Sequence, residues 1–226
     1  MVNGFKAVLL DAYGTLFDGA GAALMEVTKR VVERYRVPVD PQTFLDRWDE
    51  DFFRLLQGPF LTLWEASSLS LDRTLKAFGI EDSIEDHMDL FFERLSAAPL
   101  YPEVGEVLDA LLSKGIKLCV VSNADEDHLR RALDRHGLKV PWVASETVRV
   151  YKPEPGIFYH ALERIGCGAE EVLHVGDSQR DDIGGARNAG LKVAWVNREG
   201  IRRRLGVPQP DYEVADLWGV LEVITR

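Results

Sequence analysis

Phe5-Lys6-Ala7-Val8-Leu9-Leu10-Asp11-Ala12-Tyr13-Gly14-Thr15-Leu16 is an apolar run that ends on one carboxylate and then turns at Gly14-Thr15. So continuous a hydrophobic run fits a strand buried on both faces of a parallel sheet. In such sheets ligands bind at the carboxyl ends of the strands, so Asp11 is a candidate nucleophile at the mouth of a crevice. The alternative is that Asp11 only caps its turn, as Asp often does ahead of Gly.

Outward from this run the rhythm changes twice. Residues 18–97 read as helices: 22–35 with the stripe Leu24, Val27, Val31 and Val32, a second from Pro41 to Gly58-Pro59, a third over 63–78, and a fourth over 83–96. Trp48, Phe52, Trp64 and Phe91 read as the packed core of this bundle rather than as a substrate cage. From Pro102 helices and strands alternate, with strands at 116–121, 142–144, 172–175 and 193–196 and helices at 103–113, 126–135, 156–164 and 182–188. The first strand must join this later sheet. The expected fold is therefore α/β, a Rossmann-like parallel-sheet core made of residues 1–17 and 98–226, with an inserted four-helix-bundle-like cap domain at 18–97. The linkers at 17–20 and 97–102, with Gly19, Gly21 and Pro99, are expected to act as hinges.

Composition narrows the class. The chain has 226 residues, 46% of them hydrophobic, and a mean hydropathy of -0.12, which suits a globular core. It has no apolar run of the roughly 18 residues that a membrane span needs, and with no leader pattern a cytoplasmic protein is expected. Cys119 and Cys167 have neither metal-ligand nor C-x-x-C spacing and read as reduced and structural. A net charge of -10 argues against nucleic acid as a partner while leaving small anionic substrates open. The triple Arg202-Arg203-Arg204 reads as a solvated helix face. A monomer or homodimer is expected.

Polar residues gather at the predicted strand ends: Asp11 and Thr15, Ser122 and Asn123, Asp177 after Gly176, with Lys152 in a loop after a further strand. The fold brings such ends to one crevice. Together they suit attack by a carboxylate on an anionic ester, Asp11 forming a covalent intermediate while Thr15, Ser122, Lys152 and the backbone amides after Asp11 hold the anionic oxygens. Two carboxylates facing one phosphate call for a hard cation between them, so Mg²⁺ is expected at Asp11 and Asp177.

D-A-Y-G-T from Asp11, S-N-A from Ser122, K-P at Lys152 and G-D-S-Q-R-D-D-I-G-G-A from Gly176, in that order, resemble the haloacid dehalogenase superfamily. The resemblance covers nearly the whole chain, inserted helices included. It implies that Asp11 is the nucleophile, that Thr15 and Ser122 hold the transferred group with Gly14 and Asn123 beside them, and that Lys152 neutralises it. It also implies metal ligation by Asp11, Asp177, the Tyr13 carbonyl, and Asp182 or Asp181. Phosphatases of the superfamily carry a second Asp two residues after the nucleophile as general acid and base. Tyr13 stands there in this chain, in a form similar to the 2-haloacid dehalogenases, whose halide leaves without a proton. The last motif points the other way, because those dehalogenases have a Ser/Asn-rich segment in place of Gly176-Asp177-Ser178 and need no metal. Their cap arginine, just after a tryptophan, is replaced here by Asp49 after Trp48. The motifs imply first a Mg²⁺-dependent phosphatase of a small phosphorylated metabolite, in the alternative a 2-haloacid dehalogenase, and third a non-catalytic phosphate-binding or interaction protein.

Overall fold

The structure is a computed structural model that describes residues 4–226. Strand β1 (Ala7–Leu10) forms in the opening stretch and is buried throughout. Successive strand side chains point to opposite faces, and here Val8 and Leu10 enter one hydrophobic cluster while Ala7 and Leu9 enter another. The sheet is completed by β2 (Lys117–Ser122), β3 (Trp142–Ala144), β4 (Val172–Gly176), β5 (Lys192–Val196) and β6 (Tyr212–Val214). The order is β3-β2-β1-β4-β5-β6, every pair parallel. The chain runs from β1 to β3 on one side and returns to β4 on the other, so the strand order reverses beside β1. A crevice opens at such a switch point.

Four helices precede the rest of the sheet: α1 (Ala20–Tyr35), α2 (Pro41–Leu55), α3 (Leu63–Ala77) and α4 (Glu85–Ser96). Local chemistry starts two of them. Asp40 accepts from the amides of Gln42 and Thr43 ahead of α2, and Thr62 with Glu65 forms a capping box at α3. Val27, Val31, Phe44, Trp48, Leu71 and Met88 pack between these helices as a core of their own. Trp48 and Phe91 belong to that core, Trp48 donating to Ser70 Oγ at 2.8 Å. Trp64 and Phe52 do not: Trp64 is 41% exposed, and Phe52 turns toward the sheet.

Helices cover both faces of the sheet. On one face lie α5 (Val104–Ser113), α6 (Glu126–Arg135) and, beyond the single turn α7 (Ser145–Val148), the terminal α10 (Leu217–Thr225). On the other lie α8 (Gly156–Ile165) and α9 (Gly185–Asn188). Burying each Leu, Ile or Val side chain here is worth about 1.5–3 kcal/mol, which fixes β1 at the centre even though most of its partners follow by more than a hundred residues.

Two sequence expectations are corrected. The helix over 182–188 is instead a π-helical segment, Gln179–Gly184, leading into α9. The amides of Asp182 and Ile183 both bond Ser178 O, at 3.0 and 3.1 Å, and the wide turn sets Asp182 against the end of β4. Arg202-Arg203-Arg204 is exposed loop, not helix: the Gln179 amide accepts from Arg204 N at 2.7 Å and donates to Arg202 O at 3.1 Å, holding the backbone extended. The two linkers expected as hinges pair with each other. Phe17 and Leu100 form an antiparallel bridge, flanked by Asp18 N to Pro99 O at 2.8 Å and Tyr101 N to Leu16 O at 3.0 Å. Among the described residues no helix is long and apolar enough to cross a membrane. Both cysteines are free thiols, and burial pushes Cys119 up to about 12.

Candidate active site

Asp11 follows β1 and meets Lys152 from the loop before α8. Lys152 Nζ lies 2.6 Å from Asp11 Oδ1 and 2.8 Å from Asp182 Oδ1, with the lysine side chain 2% exposed. Burial alone would lower the lysine, but Asp11 and Asp182 outweigh it and hold the ammonium above its usual range. Burial likewise lifts the Asp11 carboxyl above the ordinary carboxylate range, against the pull of Lys152. Asp182 is held below that range because Lys152 and His174 overcome its burial. Asp11 Oδ2 is buried without a hydrogen-bond partner among the described residues. It is the one oxygen of the pair that Lys152 leaves open for chemistry.

The remaining predicted residues divide into those that face the cavity and those that support it. Ser122, Asp177, Asp181 and Tyr13 line a cavity of about 150 Å³ with Asp11 and Lys152. Asn123 lines it too, but both ends of its amide clamp the Lys152 backbone, Oδ1 accepting from Lys152 N at 2.7 Å and Nδ2 donating to Lys152 O at 3.1 Å. The same amide therefore positions the lysine while the side chain stays on the cavity wall, where the sequence reading puts a substrate contact. Thr15 is fully buried and its hydroxyl donates to Asp177 Oδ1 at 3.2 Å. The amides of Gly14, Leu16 and Phe17 are bonded inside their own turn, to Phe17 O and Ala12 O. Asp182 has both oxygens engaged, by Lys152 and by His174 Nε2 at 2.9 Å on one and by Ser178 N at 2.9 Å on the other. Asp181, Asp177 and Asp182, all from the last motif, line the cavity.

Asp11, Asp177 and Asp182 place one carboxylate oxygen each within 4.8 Å of the others. Burial first, then the charges of Asp11 and Asp182, pushes Asp177 up to about 8. The donor set of hard oxygens and the unpartnered Asp11 Oδ2 fit a divalent cation such as Mg²⁺. Two glycines let the pieces close: Gly14 is left-handed at φ 96°, and a Cβ there would sit 2.5 Å from Asp177 Oδ2, while one on Gly176 would sit 2.1 Å from Asp182 Cγ.

Tyr13 packs between Phe17 and His128, and its hydroxyl is 3.4 Å from Leu95 O at the end of α4. Burial, then the charge of Asp11, drives its phenol far above the ordinary value of 10.0. It offers the site no proton at neutral pH.

Sequence reasoning misses the second half of the cavity. A space of about 160 Å³ adjoins the first and shares Asn123, Lys152 and Asp181 with it, walled by Phe52 and Phe53 of α2, Leu56 just after it, Leu63, Tyr151 and Arg180. Only Arg180 carries a sequence signal, lying inside the last strand-end motif. The α2 residues follow helical spacing like any core stripe. Sequence reading also stops short of β6 and α10.

The sequence matches the family described as haloacid dehalogenase-like hydrolase over residues 5–190, and the chain belongs to this family of hydrolases. It is 28% identical over 225 residues to an (S)-2-haloacid dehalogenase 4A of Burkholderia cepacia, covering 96% of this chain and 90% of that one. It is 33% identical over 145 residues to a phosphoserine phosphatase of Thermus thermophilus, covering 63% of this chain and 58% of that one. The fold superposes on the L-2-haloacid dehalogenase of Xanthobacter autotrophicus with chloropropionic acid covalently bound at a TM-score of 0.77 and 24% identity, covering 97% and 98% of the two chains.

Proposed function

We propose that this hydrolase is a 2-haloacid dehalogenase. Asp11 Oδ2 attacks the carbon that bears the halogen. The carbon–halogen bond breaks, the halide leaves with the electron pair, and an ester of Asp11 remains for water to cleave, regenerating the carboxylate and releasing a hydroxy acid. Lys152 and Ser122 face the reacting end of the substrate, and Asp182 and Asn123 keep Lys152 in place. The observation that carries this reading is the Tyr13 hydroxyl, turned to Leu95 O and out of acid–base range. An alkoxide leaving group needs a proton; a halide does not. The near full-length similarity to a haloacid dehalogenase supports the same choice. This reverses the order of the two activities that the sequence motifs imply.

The carboxylate cluster favours a second reading, a Mg²⁺-dependent phosphatase. Asp11 and Asp177 would hold the ion, which when bound neutralises the charge between them and the phosphate. The test is direct: halide release from L-2-chloropropionate in EDTA, set against phosphate release from p-nitrophenyl phosphate with Mg²⁺, each repeated with Asp11→Asn. Asp11-dependent halide release supports the first reading. A flat halide trace beside Mg²⁺-dependent phosphate release replaces it with the second.

A further inference from the structure

Lys152 gives two of its three donors to Asp11 and Asp182, and the adjoining apolar space carries a second cation. Arg180 reaches its wall from the π-helical segment of the core, its guanidinium 4.9 Å from the ring centroid of Phe53 on α2. Among the described residues its one ionic neighbour is Asp181, at 3.8 Å, too far for a hydrogen bond. A guanidinium has five N–H donors in a planar fork that matches a carboxylate, and this one is held in place by stacking while its donors stay open. Phe53 is 41% exposed and offers its ring face to the guanidinium. The space beneath is small and has Phe52, Leu56 and Leu63 in its wall.

We propose that Arg180 is the specificity-determining residue that binds the substrate carboxylate, and that Phe52, Leu56 and Leu63 limit the substrate to a short alkyl chain. This rests on the reading of the same site as one for a haloacid. Lys152 then serves the reacting centre alone, and recognition of the acid comes from the core side of the cavity, where α2 supplies the aromatic face that orients the guanidinium. Asp181 is the competing anion, and the incoming carboxylate displaces its long contact.

The test separates recognition from turnover by using propionate, which has no leaving group, and propionamide, which has no charge. Isothermal titration of the wild-type chain is expected to give propionate binding without propionamide binding. Arg180→Gln is expected to weaken propionate roughly tenfold to a hundredfold, Arg180→Lys to recover part of it, and Phe53→Ala, which keeps the charge and removes the stack, to fall between. The arginine side chain is 55% exposed, so these variants keep the fold, and matching melting curves check that. Hexanoate is expected to bind more weakly than propionate. Equal propionate affinity in Arg180→Gln, equal binding of propionamide, or no binding to the wild-type chain each overturns the proposal. Halide release is scored separately. Release with an unchanged KM in Arg180→Gln overturns the role of Arg180 and leaves dehalogenation standing, whereas propionate binding that depends on Arg180 without halide release does the reverse.

Discussion

Lys152 Nζ sits 2.6 Å from Asp11 Oδ1 and leaves Asp11 Oδ2 bare. One buried cation thus divides the two oxygens of one carboxylate into a held atom and a reacting atom. Removing it strands Asp11 and Asp182 together without compensation. Lys152→Met is expected to abolish turnover and to cost about 3–5 kcal/mol of stability. Urea unfolding checks this, and a loss below about 1 kcal/mol contradicts the ion-pair account.

Asp177 titrates near 8 in the folded chain because of burial and of Asp11 and Asp182, against an ordinary 3.8. A carboxyl with a raised folded value binds its proton more tightly when folded. Its contribution is therefore favourable at low pH and is lost as pH rises from about 4 toward about 8. Asp177→Asn removes the penalty, so in EDTA its melting temperature is expected to exceed wild type by several degrees at high pH, with a smaller gap in mild acid. Mg²⁺ is expected to raise the melting temperature of the wild-type chain at high pH and not that of the variant. A gap that shrinks with rising pH sinks the assignment.

Tyr13→Phe removes only a 3.4 Å contact to Leu95 O and is expected to leave halide release within about threefold of wild type. Tyr13→Asp introduces the absent acid and base. It is expected to raise Mg²⁺-dependent hydrolysis of alkyl phosphates about a hundredfold while lowering halide release. No gain on alkyl phosphates means that the tyrosine is not what limits phosphate chemistry.

Asp125, a core residue at the start of α6, accepts the amides of Leu63 at 2.6 Å and Trp64 at 2.8 Å, capping a helix of the other unit. Asp125→Ala is expected to cost about 1 kcal/mol and to speed hydrogen exchange at those two amides ahead of the rest of α3. Unchanged exchange at Leu63 and Trp64 argues against the latch.

The fold was legible in sequence because buried parallel strands must be apolar on both faces, which makes runs such as Val8-Leu9-Leu10 and Leu118-Cys119-Val120-Val121 stand out. The strand-end polar residues were legible for the same topological reason. What each side chain does was less so. Thr15, Asn123 and Asp182 carry the right chemistry for ligand contact, but three-dimensional packing spends them on Asp177 and Lys152. The Phe52–Phe53–Leu56 wall was hidden because a residue facing a cavity and one facing a helix core share the same periodicity. The short β6 and the Gln179 clamp on the arginine loop depend on partners distant in sequence and leave no local pattern.

The ladder of Phe17 with Leu100 begins six residues after Asp11, and Leu16 O, which bonds Tyr101, belongs to the turn whose amides bond Ala12 O. The four-helix unit thus connects to the core through a short double strand rooted in the same turn that carries the nucleophile. The inner end of that ribbon is the turn that follows Asp11. Both connections between the helices and the core, and the carboxylate at the end of β1, thus share one turn.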